Sequence, residues 1–162
     1  MKIKRIIVGF LETNCYLLVS GNELGIIDPG GGAVKILHEI KKTGAKLKYI
    51  INTHFHPDHT LANEEIKKET GAKILTPKDG KEIKIGKSIL KVLSTPGHTK
   101  DSICLISENS IFTGDTLFRN GHGRTDLPGG SQKEMEESLE KLSKIIKPGM
   151  IIYPGHGEIF KY

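Results

Sequence analysis

The chain has 162 residues, of which 27% are charged and 36% hydrophobic, with a formal net charge of +5. That length suits a single domain, 1–162, with a sizeable buried core, and no repeat, low-complexity run or glycine–serine linker divides it. No apolar stretch approaches the roughly 20 residues of a membrane span, and the lysines (Lys133, Lys141, Lys144 and Lys147 among them) are interleaved with glutamates, a solvated surface rather than a nucleic-acid track.

In chain order, Met1-Lys2-Ile3-Lys4-Arg5 leads into an apolar run too short for a signal peptide, so a soluble, cytoplasmic protein is expected. Strands are predicted over 2–8, 14–20 and 23–28, then a helix over 32–43 with His38 on its surface. A strand over 48–53 runs into Thr53-His54-Phe55-His56-Pro57-Asp58-His59, and the pattern turns helical over 60–70. Strands over 72–76, 82–86 and 88–94 lead to Thr95-Pro96-Gly97-His98. Two more, over 102–107 and 110–114, lead to Asp115. A glycine-rich loop, 118–130, precedes a helix over 131–147. Ser131 is its expected N-cap, Met135, Leu139 and Leu142 form its stripe, and Pro148-Gly149 ends it. A last strand, 150–153, ends at Tyr153-Pro154-Gly155-His156. Cys15 and Cys104 stand far apart in apolar runs and read as buried, reduced thiols.

Three imidazoles and a carboxylate within 53–59 are metal-grade ligands set side by side. His54 and His56, at i and i+2 of an extended segment, aim to one face, while Asp58 and His59, at a helix start, point toward a second position. His98, Asp115 and His156 each follow a strand and a glycine. Seven such ligands on four strand ends suit two adjacent ions better than one. Nitrogen and oxygen donors make zinc the default, two ions per chain, with iron or manganese allowed. Asp28 reads equally as a turn aspartate before Pro29 or as the partner of a ligand histidine.

Asn14-Cys15-Tyr16-Leu17, Ile27-Asp28-Pro29-Gly30, the 53–59 segment, Pro96-Gly97-His98-Thr99, Thr113-Gly114-Asp115-Thr116, Gly123-Arg124-Thr125-Asp126 and Pro154-Gly155-His156-Gly157 together resemble the metallo-β-lactamase superfamily, specifically its glyoxalase II-like hydrolases. The resemblance spans nearly the whole chain and implies an α/β fold, a four-layer αββα sandwich. It also implies that His54, His56 and His98 hold one metal, that Asp58, His59 and His156 hold the other, and that Asp115 bridges them. No cysteine occupies a metal position, which weighs against the β-lactamases that use one.

The activity implied is hydrolysis of a thioester of the hydroxyacylglutathione kind, or a related ester, by metal-bound hydroxide. Asp58 would accept the proton, and Arg124 and Thr125 would meet an anionic small-molecule substrate. Arg124 has a competing reading, an ion pair with Asp126 that holds its loop. Only a short tail follows His156, and Glu158 stands where the glutathione-binding relatives carry a tyrosine, which weakens the expectation of glutathione itself. A mononuclear iron persulfide dioxygenase, using His54, His98 and Asp115, is the alternative. Phosphodiester cleavage is weaker, because no focused basic patch is present.

Overall fold

The computed structural model describes residues 1–162. Strands β1 (Lys2–Val8), β2 (Thr13–Ser20) and β3 (Glu23–Ile27) form an antiparallel meander. Helix α1 (Ala33–Thr43) then carries the chain to β4 (Lys46–Ile51), parallel to β3. Helices α2 (Pro57–Thr60) and α3 (Asn63–Thr70) cross to β5 (Lys73–Leu75), parallel to β4. The second sheet starts as another antiparallel meander, β6 (Glu82–Ile85), β7 (Ser88–Ser94), β8 (Ile103–Ser107) and β9 (Ser110–Gly114). Helix α4 (Gln132–Ile145) crosses to β10 (Ile151–Pro154), parallel to β9, and β11 (Phe160–Lys161) covers that edge.

Alternation along the strands explains how these sheets stack. In β2, Cys15 and Leu17 join Ile36, Ile40 and Ile66 in an apolar layer between the first sheet and helices α1 and α3. Their neighbours Tyr16 and Leu18 point the other way, into a layer with Ile83, Ile85, Leu90, Leu105 and Phe112 that glues the two sheets face to face. On the far side, Cys104, Ile111 and Ile152 pack against Leu142 of α4 and the following Ile146. Three apolar layers separate four layers of structure, an αββα sandwich. Both cysteines are free and buried, and burial pushes the Cys104 thiol up to about 12.

Two local features differ from expectation. The helix expected over 60–70 is two helices, broken at Leu61 and Ala62, because the Ala62 N–H donates to Pro29 O (3.0 Å). The Asp28–Gly30 turn thus diverts a helical donor and wedges beside Asp58, where a Cβ on Gly30 would sit 1.5 Å from Asp58 O. Strand β11 was not expected. Its partnership with β10 carries only two residue pairs, too few to leave a periodic signal. Ser131 does cap α4, its Oγ accepting from Glu134 N–H at 3.3 Å.

The topology sends the important strand ends to one edge. Because β8 is antiparallel to both β7 and β9, and β10 is parallel to β9, strands β7, β9 and β10 all end on the same side. The first sheet is tied to that side by Ile103 N–H donating to Thr53 O (2.8 Å) and Asn14 N–H to Gly155 O (2.7 Å).

Candidate metal centre

All seven expected ligands meet at that edge. His54 and His56 follow β4, Asp58 and His59 lie in α2, His98 follows β7, Asp115 follows β9 and His156 follows β10. One trio is formed by His54 Nε2, His56 Nδ1 and His98 Nε2, with His56 Nδ1 3.1 Å from His54 Nε2 and 2.9 Å from His98 Nε2. A second trio joins His59 Nε2, His156 Nε2 and Asp58 Oδ2 at separations of 3.2, 3.2 and 3.4 Å. Asp115 lies between them, with Oδ1 3.5 Å from His59 Nε2 and Oδ2 3.6 Å from both His98 Nε2 and His156 Nε2.

These spacings fit cations. Ligand atoms about 2.0–2.1 Å from a tetrahedral ion stand roughly 3.3–3.4 Å apart, close to what both trios show. Imidazole lone pairs otherwise repel at such range. In addition, Asp115 Oδ1 is buried without a hydrogen-bond partner, a costly arrangement that a cation would relieve.

Outer contacts aim the rings. His98 Nδ1–H donates to Arg124 O (2.7 Å) and His156 Nδ1–H to Leu11 O (3.0 Å), since a carbonyl only accepts. Thr53 Oγ1 donates to Asp28 Oδ2 (2.6 Å) and can therefore accept from His54 Nδ1 (3.2 Å). His59 Nδ1 lies 3.0 Å from Asp28 Oδ2 in a contact too bent to be a well-formed hydrogen bond. These contacts let the outer nitrogen of each of the four rings keep a proton, so that Nε2 would offer its lone pair to a bound cation.

The electrostatics divide the same way. Burial, with neighbouring imidazoles, holds His54 well below its ordinary range, and burial also lowers His56. Burial opposes a charge on His59, but Asp28, Asp58 and Asp115 outweigh it and raise it to about 10. His156 rises for a like reason, burial being overcome chiefly by its hydrogen bond to Asp58. Hydrogen bonds from His156 and His59 hold Asp58 well below the usual carboxylate range, whereas burial raises Asp115.

Asp28 serves both readings given for it. It turns the chain before Pro29, with φ 50°, and it contacts Thr53 and His59. The Arg124 side chain is exposed and forked onto Asp126, through Nε and Nη2 at 2.7 Å each, while Thr125 Oγ1 donates to Gln132 Oε1 (2.9 Å). His122 stays outside the cluster and bonds Gly123 O. Leu11, Thr13 and Thr53 were not foreseen as site residues. Leu11 acts through its carbonyl and Thr13 through a long contact to Asp58 Oδ2 (3.4 Å), neither of which has a sequence signature.

The sequence profile of the metallo-beta-lactamase superfamily matches residues 8–88 and 74–156. A probable metallo-hydrolase of Methanocaldococcus jannaschii is 35% identical, over 91% of this chain and 89% of its own length. A hydroxyacylglutathione hydrolase of Rhodospirillum rubrum is 34% identical, over 92% of this chain and 64% of its own length. Among solved structures, ETHE1 from Myxococcus xanthus superposes with a TM-score of 0.92 at 26% identity, covering 99% of this chain and 80% of that one. A protein crystallised in a di-iron-bound form, TTHA1623, gives 0.88 at 26% identity, covering 98% and 94%. With the four-layer sandwich and the clustered histidines and aspartates already in place, these matches establish that the chain belongs to the metallo-β-lactamase superfamily.

Proposed function

We propose that this is a binuclear metal hydrolase that cleaves a thioester, or a closely related activated ester, of a small anionic molecule. The observation that carries the reading is the pair of ligand trios with Asp115 between them. His54, His56 and His98 would hold one ion, Asp58, His59 and His156 the other, and Asp115 both. Zinc suits this donor set, with iron or manganese as substitutes. The ions would supply Lewis acidity and lower the pKa of water toward about 7, so no serine or cysteine nucleophile is required.

The chain's own groups then have separable tasks. Asp58 offers Oδ2 to the second trio, and its other carboxylate oxygen would accept the proton that the attacking water gives up. Asp115 and the four oriented imidazoles preserve the geometry. Arg124 and Thr125 would contact substrate on the His98 side, which requires Arg124 to loosen from the exposed Asp126. The thioester class is supported by similarity to the hydroxyacylglutathione hydrolase. No helix is long and apolar enough to cross a membrane, and two buried free thiols suit the reducing cytoplasm where we place the enzyme.

The test sets thioester cleavage by zinc-loaded protein under anaerobic conditions beside oxygen uptake by iron-loaded protein given glutathione persulfide. Cleavage without oxygen is expected. Oxygen uptake with iron, and no thioester cleavage with any metal, would replace this reading with a one-iron dioxygenase on His54, His98 and Asp115.

A further inference from the structure

Arg119 and Glu158 face each other across the two loops that carry ligands from the second sheet. Arg119 lies shortly after Asp115 and Glu158 shortly after His156, and Arg119 Nη1 donates to Glu158 Oε2 at 2.8 Å. Beside the pair, the Phe118 ring stands edge-on to His156 with centroids 6.3 Å apart. Both side chains are largely in solvent, 58% and 74% exposed. An exposed pair of this kind contributes little stability and opens readily.

The loop does not need the pair to keep its shape. Asn14 Nδ2 donates to both Pro154 O and Gly157 O at 3.0 Å, and Arg5 Nη1 donates to Gly157 O at 3.2 Å. Arg119 also engages its partner through one nitrogen only, leaving most of its guanidinium donors free. Arg124 differs, since two edges of its fork are already taken by Asp126 within its own turn.

We propose that Arg119 is a specificity-determining residue that binds a carboxylate of the substrate, and that Glu158 is a built-in competitor which the substrate carboxylate displaces. Binding exchanges one carboxylate for another on the same guanidinium, so Glu158 weakens the binding of anionic substrates. The inference rests on the proposed thioester hydrolysis for its substrate class, but not for the recognition of a carboxylate beside the metal centre.

The experiment compares two thioesters of one acyl group, one on 3-mercaptopropionate and one on 2-mercaptoethanol, with zinc-loaded protein. The readout is the preference for the acid, taken as the ratio of kcat/KM values. R119Q should lower that preference about five- to tenfold and E158Q should raise it severalfold, as expected for loss and release of one charge-assisted contact. The matching S-alkyl thioethers, which cannot be hydrolysed, are titrated by calorimetry and should show the same ordering in Kd. If no thioester is cleaved, the hydrolase reading fails and the thioether titration still decides the role of Arg119. A preference unmoved by R119Q, a shift in the same direction in both variants, or no binding of the thioether acid would overturn the proposal.

Discussion

Thr53 gives both of its donors to Asp28, the backbone N–H at 2.7 Å to Oδ1 and the hydroxyl at 2.6 Å to Oδ2. Through Thr53 this buried carboxylate steadies His54, and through its own contact it faces His59, so one side chain reaches into both ligand trios. Asp28→Ala should cut metal affinity by about 10–100-fold, the usual effect of removing an outer partner of a ligating imidazole. Asn tolerates the left-handed backbone found here, so Asp28→Asn separates loss of charge from strain. Chelator competition on both variants is the measurement. Unchanged affinity in both would show that Asp28 only turns the chain.

Asp115 lies between the trios, with its oxygens 3.5–3.6 Å from His59, His98 and His156. Asp115→Ala should retain the fold and nearly abolish turnover. Cys15→Ala and Cys104→Ala should keep turnover, because both thiols are buried in apolar layers, while each loses about 1–2 kcal/mol of stability. Steady-state kinetics and denaturant titration on the three variants check this. Active Asp115→Ala alongside inactive cysteine variants would remove the proposed mechanism.

Metal uptake should release protons at neutral pH. In the metal-free chain His59 is raised to about 10, so it carries a proton at pH 7 that a cation must displace, and His156 is shifted in the same direction. Affinity should therefore fall as pH is lowered. His59 also gives a stability signature with the opposite slope in the metal-free protein. Its contribution is complete below about 6.5, the unfolded value, and is lost as pH rises through about 10. Calorimetric titration of zinc in two buffers of different ionisation enthalpy reads the protons directly. Identical heats in the two buffers would contradict the prediction.

At Gly155 the backbone passes close against the centre. A Cβ there would meet Asp115 Oδ1 at 2.3 Å and His59 Cε1 at 2.8 Å. Gly155→Ala should displace both ligands and lower metal content, at a stability cost of about 1–3 kcal/mol from overpacking. Metal analysis after purification, beside thermal unfolding, distinguishes a damaged site from a damaged fold. Full metal content in the variant would show that the loop yields easily.

Tyr16, in the layer between the sheets, donates its hydroxyl to Pro154 O at 2.6 Å, next to the segment that carries His156. Asn14 Nδ2 shares that acceptor, so Tyr16→Phe leaves it partly satisfied and should cost only about 0.5–1.5 kcal/mol. A larger loss on denaturant titration would assign the hydroxyl a wider structural role.

The kinds of ligand and their places at strand ends were legible in the sequence because both are local. Apolar runs such as Ile89–Leu93 and Ile111–Phe112 announce strands, and a histidine or aspartate after a glycine marks where they give way to the site. The capped stripe of α4 was legible for the same reason. Tertiary structure decided the rest, since it depends on sheet register and on contacts between distant segments. It broke the second helix at Ala62 by lending that N–H to Pro29. It also brought Leu11 O to His156, and His59 to His156 across 97 positions. A carbonyl that orients a ring carries no mark in its own residue type; only the stacking of two sheets puts it there.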